Sequence, residues 1–148
     1  MAYLGLGSNL GERETNISRA IELIAEQAGG VVRQSAFYYS EPWGFTSENA
    51  FVNAVVCIHT TLKPHQLLRT TQRIERSIGK SAEHATKRGD ATIYHDRPID
   101  IDILLYDDIT ISTPTLTIPH PLMLQRPFVM EPLSQVLPPG HPLLEKLV

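Results

Sequence analysis

The sequence of 148 residues predicts an α+β fold. Residues 12–28 and 63–78 carry apolar side chains at three- and four-residue steps, which is the pattern of an amphipathic helix. Four other segments show strand alternation or short apolar runs, and the elements stand in the order βαββαβ. This order is typical of a ferredoxin-like sandwich, an antiparallel sheet with helices on one face. Because that fold supports many activities, the order does not decide function.

The first half of the chain contributes a strand, a helix and a second strand. Residues 2–6 form an apolar run that ends at Gly7-Ser8-Asn9, which predicts a buried strand followed by a turn. The helix over residues 12–28 is expected to end at Gly29-Gly30. Residues 31–40 are rich in Val, Phe and Tyr and predict the second strand, and residues 41–50 predict a loop.

The second half of the chain repeats this scheme. Residues 51–60 alternate as a strand, with one face formed by Val52, Ala54, Val56 and Ile58 and the other by Phe51, Asn53, Val55, Cys57 and His59. The helix over residues 63–78 is expected to end at Gly79. Residues 80–97 show no period, and a loop of this length in a compact domain is usually functional or disordered. A strand over 99–106 and a short helix near 128–136 complete the prediction.

Composition and charge exclude several classes of protein. The chain has 13 Lys+Arg and 16 Asp+Glu, a net charge of −3, which is unlike a general nucleic-acid binder. It contains no apolar run near the roughly 18 residues of a membrane helix, and its start lacks the features of a signal peptide. Its one cysteine favours a reducing compartment. We expect a single cytoplasmic domain over residues 1–148, with neither nucleic acid nor membrane as partner.

Two segments resemble phosphate-binding motifs, but each lacks a glycine that its motif requires. Residues 5–11 resemble a dinucleotide-binding fingerprint, but Leu10 stands where its third glycine is required. Residues 79–81 resemble the end of a P-loop, but Ile74 stands where the first glycine belongs, and the segment follows a helix instead of opening one. Any nucleotide is therefore expected to bind by other means.

The most unusual segment is the strand that carries Asp100 and Asp102. Alternate residues of a strand share a face, so both carboxylates point the same way while Ile99, Ile101 and Ile103 point into the core. Adjacent carboxylates repel unless a positive charge lies between them. Mg²⁺ typically takes one or two carboxylates together with substrate phosphates. The alternative is an exposed strand face balanced by a nearby arginine, and the metal interpretation is modestly favoured.

Other residues suit phosphate transfer and a flat ligand. Cations lie in loop 80–97 and in the proline-rich segment after the last strand: Lys80, Lys87, Arg88, Arg97, His120 and Arg126. Singly, each is more often a solvated surface residue, but phosphate transfer depends on positioning and charge neutralisation by such groups. Phe51 and Asn53 share one strand face, where a ring and an amide could hold a flat heterocycle. Edge packing is the simpler alternative for this pair.

Several segments together resemble one known family. They are Gly7-Ser8-Asn9-Leu10-Gly11, Phe51-Val52-Asn53-Ala54, Thr71-Gln72-Arg73-Ile74-Glu75, the run from Arg97 to Tyr106, Leu116-Thr117-Ile118-Pro119-His120-Pro121 and Arg126-Pro127-Phe128-Val129. The sequence is similar over nearly its whole length to the 6-hydroxymethyl-7,8-dihydropterin pyrophosphokinases of folate biosynthesis. The resemblance implies a monomeric ferredoxin-like enzyme. It would transfer the pyrophosphoryl group of ATP to the pterin's hydroxymethyl oxygen and release AMP.

The resemblance also implies roles for individual residues. Two Mg²⁺ ions would be held with ATP by Asp100 and Asp102, and Arg97, His120 and Arg126 would complete the catalytic group. The pterin would be bound by Ser40, Trp43, Phe51, Asn53, Tyr94 and Phe128. ATP would contact Gln72, Glu75, Lys80, Arg97, Ile103, Thr117, His120 and Arg126. The third loop departs from the family pattern, since Lys80 replaces an arginine and Tyr94 stands in the position of a tryptophan.

Two other functions are compatible with parts of this pattern. A sugar transferase also uses an Asp-x-Asp motif, but such enzymes usually need an acceptor domain that 148 residues do not provide. A non-catalytic ligand-binding module would show no magnesium dependence of nucleotide binding. The two facing carboxylates argue against such a module, because binding alone gains nothing from them.

Overall fold

A computed structural model describes residues 1–40, 50–83 and 98–147 of the chain. Its main elements are β1 (Ala2–Ser8), α1 (Arg13–Gln27), β2 (Gly30–Gln34), β3 (Tyr38–Ser40), β4 (Phe51–His59), α2 (Pro64–Glu83), β5 (Asp100–Tyr106), β6 (Ile111–Ser112), β7 (Thr117–Ile118) and α3 (Pro127–Val136). Two 3₁₀ segments, Met123–Gln125 and Pro142–Leu147, flank α3. Within these ranges, no helix is long and apolar enough to cross a bilayer.

The main sheet is antiparallel, and β1 is one of its two inner strands. The strand order is β2-β4-β1-β5, and β3 extends the pairing of β2 along β4. The register sets Gly7 of β1 opposite Asn53 on one side and Asp100 on the other. A small separate hairpin is formed by β6 and β7. The pairing therefore joins segments from both halves of the sequence at one end of β1.

The larger core lies between the sheet and the helices α1 and α2. Alternate residues of β1, β4 and β5 face these helices and are buried, as the predicted apolar face of β4 requires. The cluster includes Leu4, Leu6, Ile17, Ile24, Val52, Val56, Ile58, Leu67, Ile74, Ile101 and Ile103. Burial of these side chains fixes which face each strand presents, because a one-residue slip would reverse every side chain.

The opposite face of the sheet is covered over only part of its length. Helix α3 packs there, and its Val129, Met130 and Leu133 form a second apolar cluster with Val55 and Leu104. At the far end of the same face lie the polar side chains of β4 and β5. The predicted α+β class with an antiparallel sheet is confirmed, and α3 adds a layer on the face away from α1 and α2.

Two local predictions differ from the structure. The strand predicted over residues 31–40 is divided into β2 and β3, because the Ser35 hydroxyl accepts the Val55 N–H at 2.9 Å and occupies a ladder position. The prediction that α2 ends at Gly79 is wrong, since the helix continues to Glu83. Gly79 lacks the positive φ of a C-terminal cap, and an interior glycine costs a helix only about 1 kcal/mol.

The turn after α1 requires a glycine, as predicted. A Cβ built on Gly29 would collide with the backbone carbonyl of His59, whereas in the described part of the chain nothing lies within 4 Å of a Cβ on Gly30. This close approach brings the end of α1 against the end of β4.

We predict that Gly29→Ala lowers the free energy of unfolding by about 1–3 kcal/mol, the usual cost of overpacking. Gly30→Ala is the matched control and should unfold close to the wild-type urea midpoint. Equal midpoints for the two variants would contradict this account of the turn.

Candidate active site

One row of paired residues crosses the face opposite α1 and α2. It runs from Asn53 on β4 through Gly7 on β1 to Asp100 on β5. Since neighbouring strands lie about 4.8 Å apart, the two outer Cα atoms are separated by about 10 Å. Gly7 has no side chain, and the position that its Cβ would take lies 3.2 Å from Oδ1 of Asn53 and 3.4 Å from Cδ1 of Phe51.

The two predicted carboxylates share this face. Asp100 and Asp102 are half-buried and alternate with the buried Ile101, as the strand pattern predicts. Glu75 of α2 accepts the Ile101 N–H at 2.7 Å, on the edge of β5 away from β1. This hydrogen bond holds α2 against the outer strand between the two aspartates.

His120 lies beside the carboxylates in a defined orientation. Its backbone N–H donates to the Leu104 carbonyl at 3.0 Å, which joins the segment after β7 to β5. Its Nδ1 accepts the Leu122 N–H at 3.3 Å, so the neutral ring carries its proton on Nε2. That Nε2 lies 3.9 Å from Oδ2 of Asp102. The ring therefore presents a donor toward the carboxylate pair.

The electrostatic surroundings of His120 favour its neutral form. Burial lowers the pKa of His120, and the Arg126 guanidinium lowers it further, while the negative charge of Asp100 acts in the opposite direction. Arg126 precedes α3, and its guanidinium carbon lies 5.7 Å from the ring centroid of Phe128. At this distance the cation and the ring attract each other. His120, Arg126 and the two aspartates thus form one electrostatic group.

The amide of Asn53 is fixed by two hydrogen bonds. Its Nδ2 donates to the Tyr38 carbonyl at 3.1 Å and to the Ser40 hydroxyl at 2.8 Å. An amide nitrogen has two donors, so Oδ1 is the atom that can receive a donor from a ligand. The sequence predicted only that a ring and an amide on this strand face could hold a flat heterocycle. In the structure the amide is oriented as an acceptor beside the half-buried ring of Phe51.

Arg13, the first residue of α1, fixes the start of β4. Its guanidinium donates to the Ala50 carbonyl at 2.8 Å, so the first residue of α1 contacts the residue that precedes Phe51. Sequence spacing gave no signal for this contact. The register of Gly7 was also missed, although a glycine inside a strand often marks the close approach of a ligand.

The remaining predicted residues have varied positions. Gln72 and Thr117 are exposed, and Ile103 is buried in the core beneath α1 and α2, so only its backbone is open to a nucleotide contact. Phe128 packs against the second apolar cluster. Trp43, Tyr94 and Arg97 lie outside the described residues, as does the side chain of Lys80.

The donor set suits a magnesium–nucleotide complex better than a protein-only metal site. Across residues 1–40, 50–83 and 98–147, no group of three or more His, Cys, Asp or Glu side chains could hold a metal ion. Two carboxylates on one face offer hard oxygen ligands, and Mg²⁺ usually completes its shell with water and substrate phosphates. Asp100 and Asp102 therefore fit an ion that arrives with a phosphate ligand.

The pKa of His120 provides a test of this electrostatic group. Arg126→Gln should raise the pKa of His120, because a neighbouring cation is removed, and Arg19→Gln on the exposed surface of α1 should leave it unchanged. Because folding lowers the pKa below its ordinary value of about 6.5, His120 stabilises the fold fully above that pH. This stability is lost as the pH falls through the folded pKa. Proton NMR titration measures the pKa of His120 in both variants. An unchanged pKa in Arg126→Gln would contradict the electrostatic coupling of Arg126 to His120.

Comparisons with known proteins identify the family of this chain. Residues 3–138 match the family described as 7,8-dihydro-6-hydroxymethylpterin-pyrophosphokinase, or HPPK. A Porphyromonas gingivalis protein named 2-amino-4-hydroxy-6-hydroxymethyldihydropteridine pyrophosphokinase is 47% identical over 143 residues, which are 96% of this chain and 94% of that protein. A Methylorubrum extorquens protein of the same name is 39% identical over 138 residues, covering 93% of this chain and 82% of that protein.

A solved structure described as HPPK-DHPS in complex with substrates has a similar fold. The TM-score is 0.61 at 16% sequence identity, and the match covers 93% of this chain and 40% of that chain. It confirms the predicted ferredoxin-like α+β fold. The family match and the named relatives confirm the predicted family and enzyme class. This chain belongs to the 7,8-dihydro-6-hydroxymethylpterin-pyrophosphokinase family.

Proposed function

We propose that this chain transfers the pyrophosphoryl group of ATP to the hydroxymethyl oxygen of 6-hydroxymethyl-7,8-dihydropterin, a step of folate biosynthesis. The products are AMP and the pterin diphosphate. The observation that carries the proposal is the row from Asn53 through Gly7 to Asp100. It sets an acceptor for a heterocycle and a carboxylate for a phosphate site about 10 Å apart on one face of the sheet.

The β4 side of the row binds the pterin. The Oδ1 atom of Asn53 accepts a ring N–H or amino donor, and Phe51 stacks on the ring. Ser40 holds the Asn53 amide by accepting one of its hydrogens, and Phe128 approaches from α3. We assign Trp43 and Tyr94 to the same pocket from the family resemblance. A neutral hydrogen-bonding pocket suits the pterin, which carries no phosphate before the reaction.

The β5 side of the row binds ATP. Kinases that use ATP generally need Mg²⁺. In this chain, Asp100 and Asp102 would hold two Mg²⁺ ions. Bound Mg²⁺ would neutralise the charge of the β- and γ-phosphates. His120 donates from Nε2 and Arg126 supplies a guanidinium to the same phosphates. Further nucleotide contacts come from Gln72, Glu75, Lys80, Arg97, Thr117 and the backbone of Ile103.

The reaction is an in-line displacement at the β-phosphorus. The hydroxymethyl oxygen forms a bond to that phosphorus, and the bond from phosphorus to the bridging oxygen of the α-phosphate breaks, so that AMP leaves. The sequence and the fold offer no dedicated base among the described residues, and Asp100, the carboxylate at the end of the row, is the nearest candidate to assist removal of the hydroxyl proton. A loose phosphoryl transition state needs little help from a strong base. Arg126 and the Nε2–H of His120 stabilise the charge that develops on the phosphate oxygens.

The proposed enzyme is a cytoplasmic monomer formed by one domain over residues 1–148. The single cysteine, Cys57, is buried and reduced, which suits a reducing compartment. The monomeric state follows the family resemblance.

The identity of the nucleotide product tests the reaction. The protein is incubated with Mg²⁺, the pterin and ATP labelled with ³²P at the β position. We expect the label in the pterin diphosphate and none in the AMP, with both products formed only when the pterin is present. ADP as the product would show single phosphoryl transfer and refute the proposed reaction. Magnesium-independent nucleotide binding without turnover would favour a binding module.

Removing one carboxylate tests the assignment of the metal site. Asp102→Asn should lower kcat by at least about 100-fold, because several kcal/mol of charge stabilisation are lost. Asp108→Asn, an exposed aspartate just beyond β5, is the matched control and should retain wild-type activity. Circular dichroism establishes that both variants fold. Wild-type turnover by folded Asp102→Asn would contradict the assignment.

A further inference from the structure

The first turn of α1 contacts the sheet at the end that carries the row of paired residues. Arg13 and Glu14 are the first two residues of this helix. Arg13 donates to the Ala50 carbonyl at 2.8 Å, and the Tyr39 hydroxyl donates to Oε2 of Glu14 at 2.8 Å. Two adjacent helix residues therefore hold two neighbouring strands, β4 at its start and β3 near its end.

The side chain of Tyr39 lies on the opposite face of the sheet from those of its two neighbours in β3. Tyr39 pairs with Val52, whose buried side chain belongs to the core beneath α1 and α2. Directly opposite side chains of an antiparallel pair share a face, and successive side chains of a strand alternate. Tyr38 and Ser40 therefore face the other way, on the side of Asn53. A contact on the helix side of β3 thus acts on the two residues that hold the Asn53 amide.

The position of β3 decides how the amide is oriented. Both hydrogens of Asn53 Nδ2 are taken up by β3, one by the Tyr38 carbonyl at 3.1 Å and one by the Ser40 hydroxyl at 2.8 Å. The strand has three residues and is paired along β4. So short a strand gains few ladder hydrogen bonds, and the contact from Glu14 is a substantial part of what fixes it.

Helix α1 is a firm anchor for these contacts. Its Ile17, Ala20 and Ile24 are fully buried in the larger core. Asn16 donates from Nδ2 to the Leu10 carbonyl at 3.0 Å, which joins the first turn of the helix to the segment after β1. Because a close-packed core resists displacement, the start of α1 holds the strands at a fixed distance.

The carboxylate of Glu14 is ionised at neutral pH. The hydrogen bond from Tyr39 lowers the pKa of Glu14, the backbone N–H of Glu14 lowers it further, and the charge of Arg13 contributes less. The same hydrogen bond raises the pKa of Tyr39. Hydrogen bonds to ionised acceptors are stronger than those between neutral groups. Both side chains are exposed, so water weakens the bond and its loss is expected to change binding by a few-fold.

We propose that Arg13 and Glu14 are positioning residues for the flat heterocycle. Glu14 acts through Tyr39 on the strand that orients the Asn53 amide as an acceptor. Arg13 acts through the start of β4 on the placement of the Phe51 ring. The inference rests on the proposed function and deepens it, since it names what holds the pterin residues in place.

The first experiment removes the contact to β3 in the full chain. Tyr39→Phe and Glu14→Ala should each raise the KM for the pterin about 3-fold or more and leave the KM for ATP within about 1.5-fold. The double variant should equal either single variant, because both lose the same hydrogen bond. Glu14→Gln keeps an acceptor and should lie closer to the wild type than Glu14→Ala. Glu22→Ala, an exposed acid of α1 that pairs with Arg19, is the matched control and should change neither constant.

An unchanged pterin KM in Tyr39→Phe would overturn the role of Glu14. Multiplied effects in the double variant would do the same, since they would show that the two side chains act separately.

The second experiment removes the contact to β4. Arg13→Ala should raise the KM for the pterin by roughly 3- to 10-fold, because a hydrogen bond from a charged donor is lost. Arg13→Lys keeps a cationic donor and should fall between Arg13→Ala and the wild type. A wild-type pterin KM in Arg13→Ala, or equal constants for the two variants, would overturn the role of Arg13.

A measurement without substrates follows the Asn53 amide directly. In ¹⁵N-labelled protein, Tyr39→Phe should accelerate the exchange of the Asn53 side-chain hydrogens with water by about 3-fold. The side-chain hydrogens of Asn16, which is bonded to Leu10, should keep their rate in the same spectrum. An unchanged rate for Asn53 would show that Tyr39 does not hold the amide.

These readouts separate the inference from the proposed function. If the wild type makes no AMP from ATP and the pterin, the proposed function fails, and the role in pterin binding fails with it. If the wild type makes AMP while Tyr39→Phe keeps both the pterin KM and the exchange rate of Asn53, the positioning role alone is wrong.

Discussion

The pairing of β1 between β4 and β5 is the constraint on which the rest of the site depends. A single register places Asn53, Gly7 and Asp100 in one row, although they come from three distant segments of the chain. Burial of the alternate residues Leu4, Leu6 and their partners beneath α1 and α2 fixes that register. A slip of one residue would move the carboxylates into the core and expose the apolar face. The hydrophobic core thereby sets the geometry of a polar site that it does not touch.

On the sheet face away from α1 and α2, one end contributes to the hydrophobic core and the other end carries the candidate active site. One end is covered by α3 and its apolar contacts with Val55 and Leu104. The other end carries the half-buried carboxylates of Asp100 and Asp102. Glu75 holds the outer strand through the Ile101 N–H, and burial keeps His120 neutral beside Asp102. Asp100 and Asp102 offer oxygen ligands there to a metal-bound phosphate ligand.

Strand periodicity predicted the parts of the site that lie on one element. The common face of Asp100 and Asp102, and the apolar face of β4, follow from an alternation that the core enforces. Contacts between elements were not predictable in this way. Helix α2 passes Gly79 because tertiary packing decides where a helix ends, and Ser35 divides a strand by a side-chain hydrogen bond that no period encodes. The approach of His120 to Asp102 depends on the path of β6 and β7, and the acceptor role of Asn53 depends on Tyr38 and Ser40.

A ternary complex shows most directly where the two substrates meet on the sheet. Crystals would contain the protein, the pterin, a non-hydrolysable ATP analogue and Mn²⁺ in place of Mg²⁺. Anomalous scattering should place the metal on Asp100 and Asp102, with the pterin against the Phe51 ring and a ring donor about 3 Å from Oδ1 of Asn53. A pterin bound away from the row, or metal bound by other residues, would contradict the account.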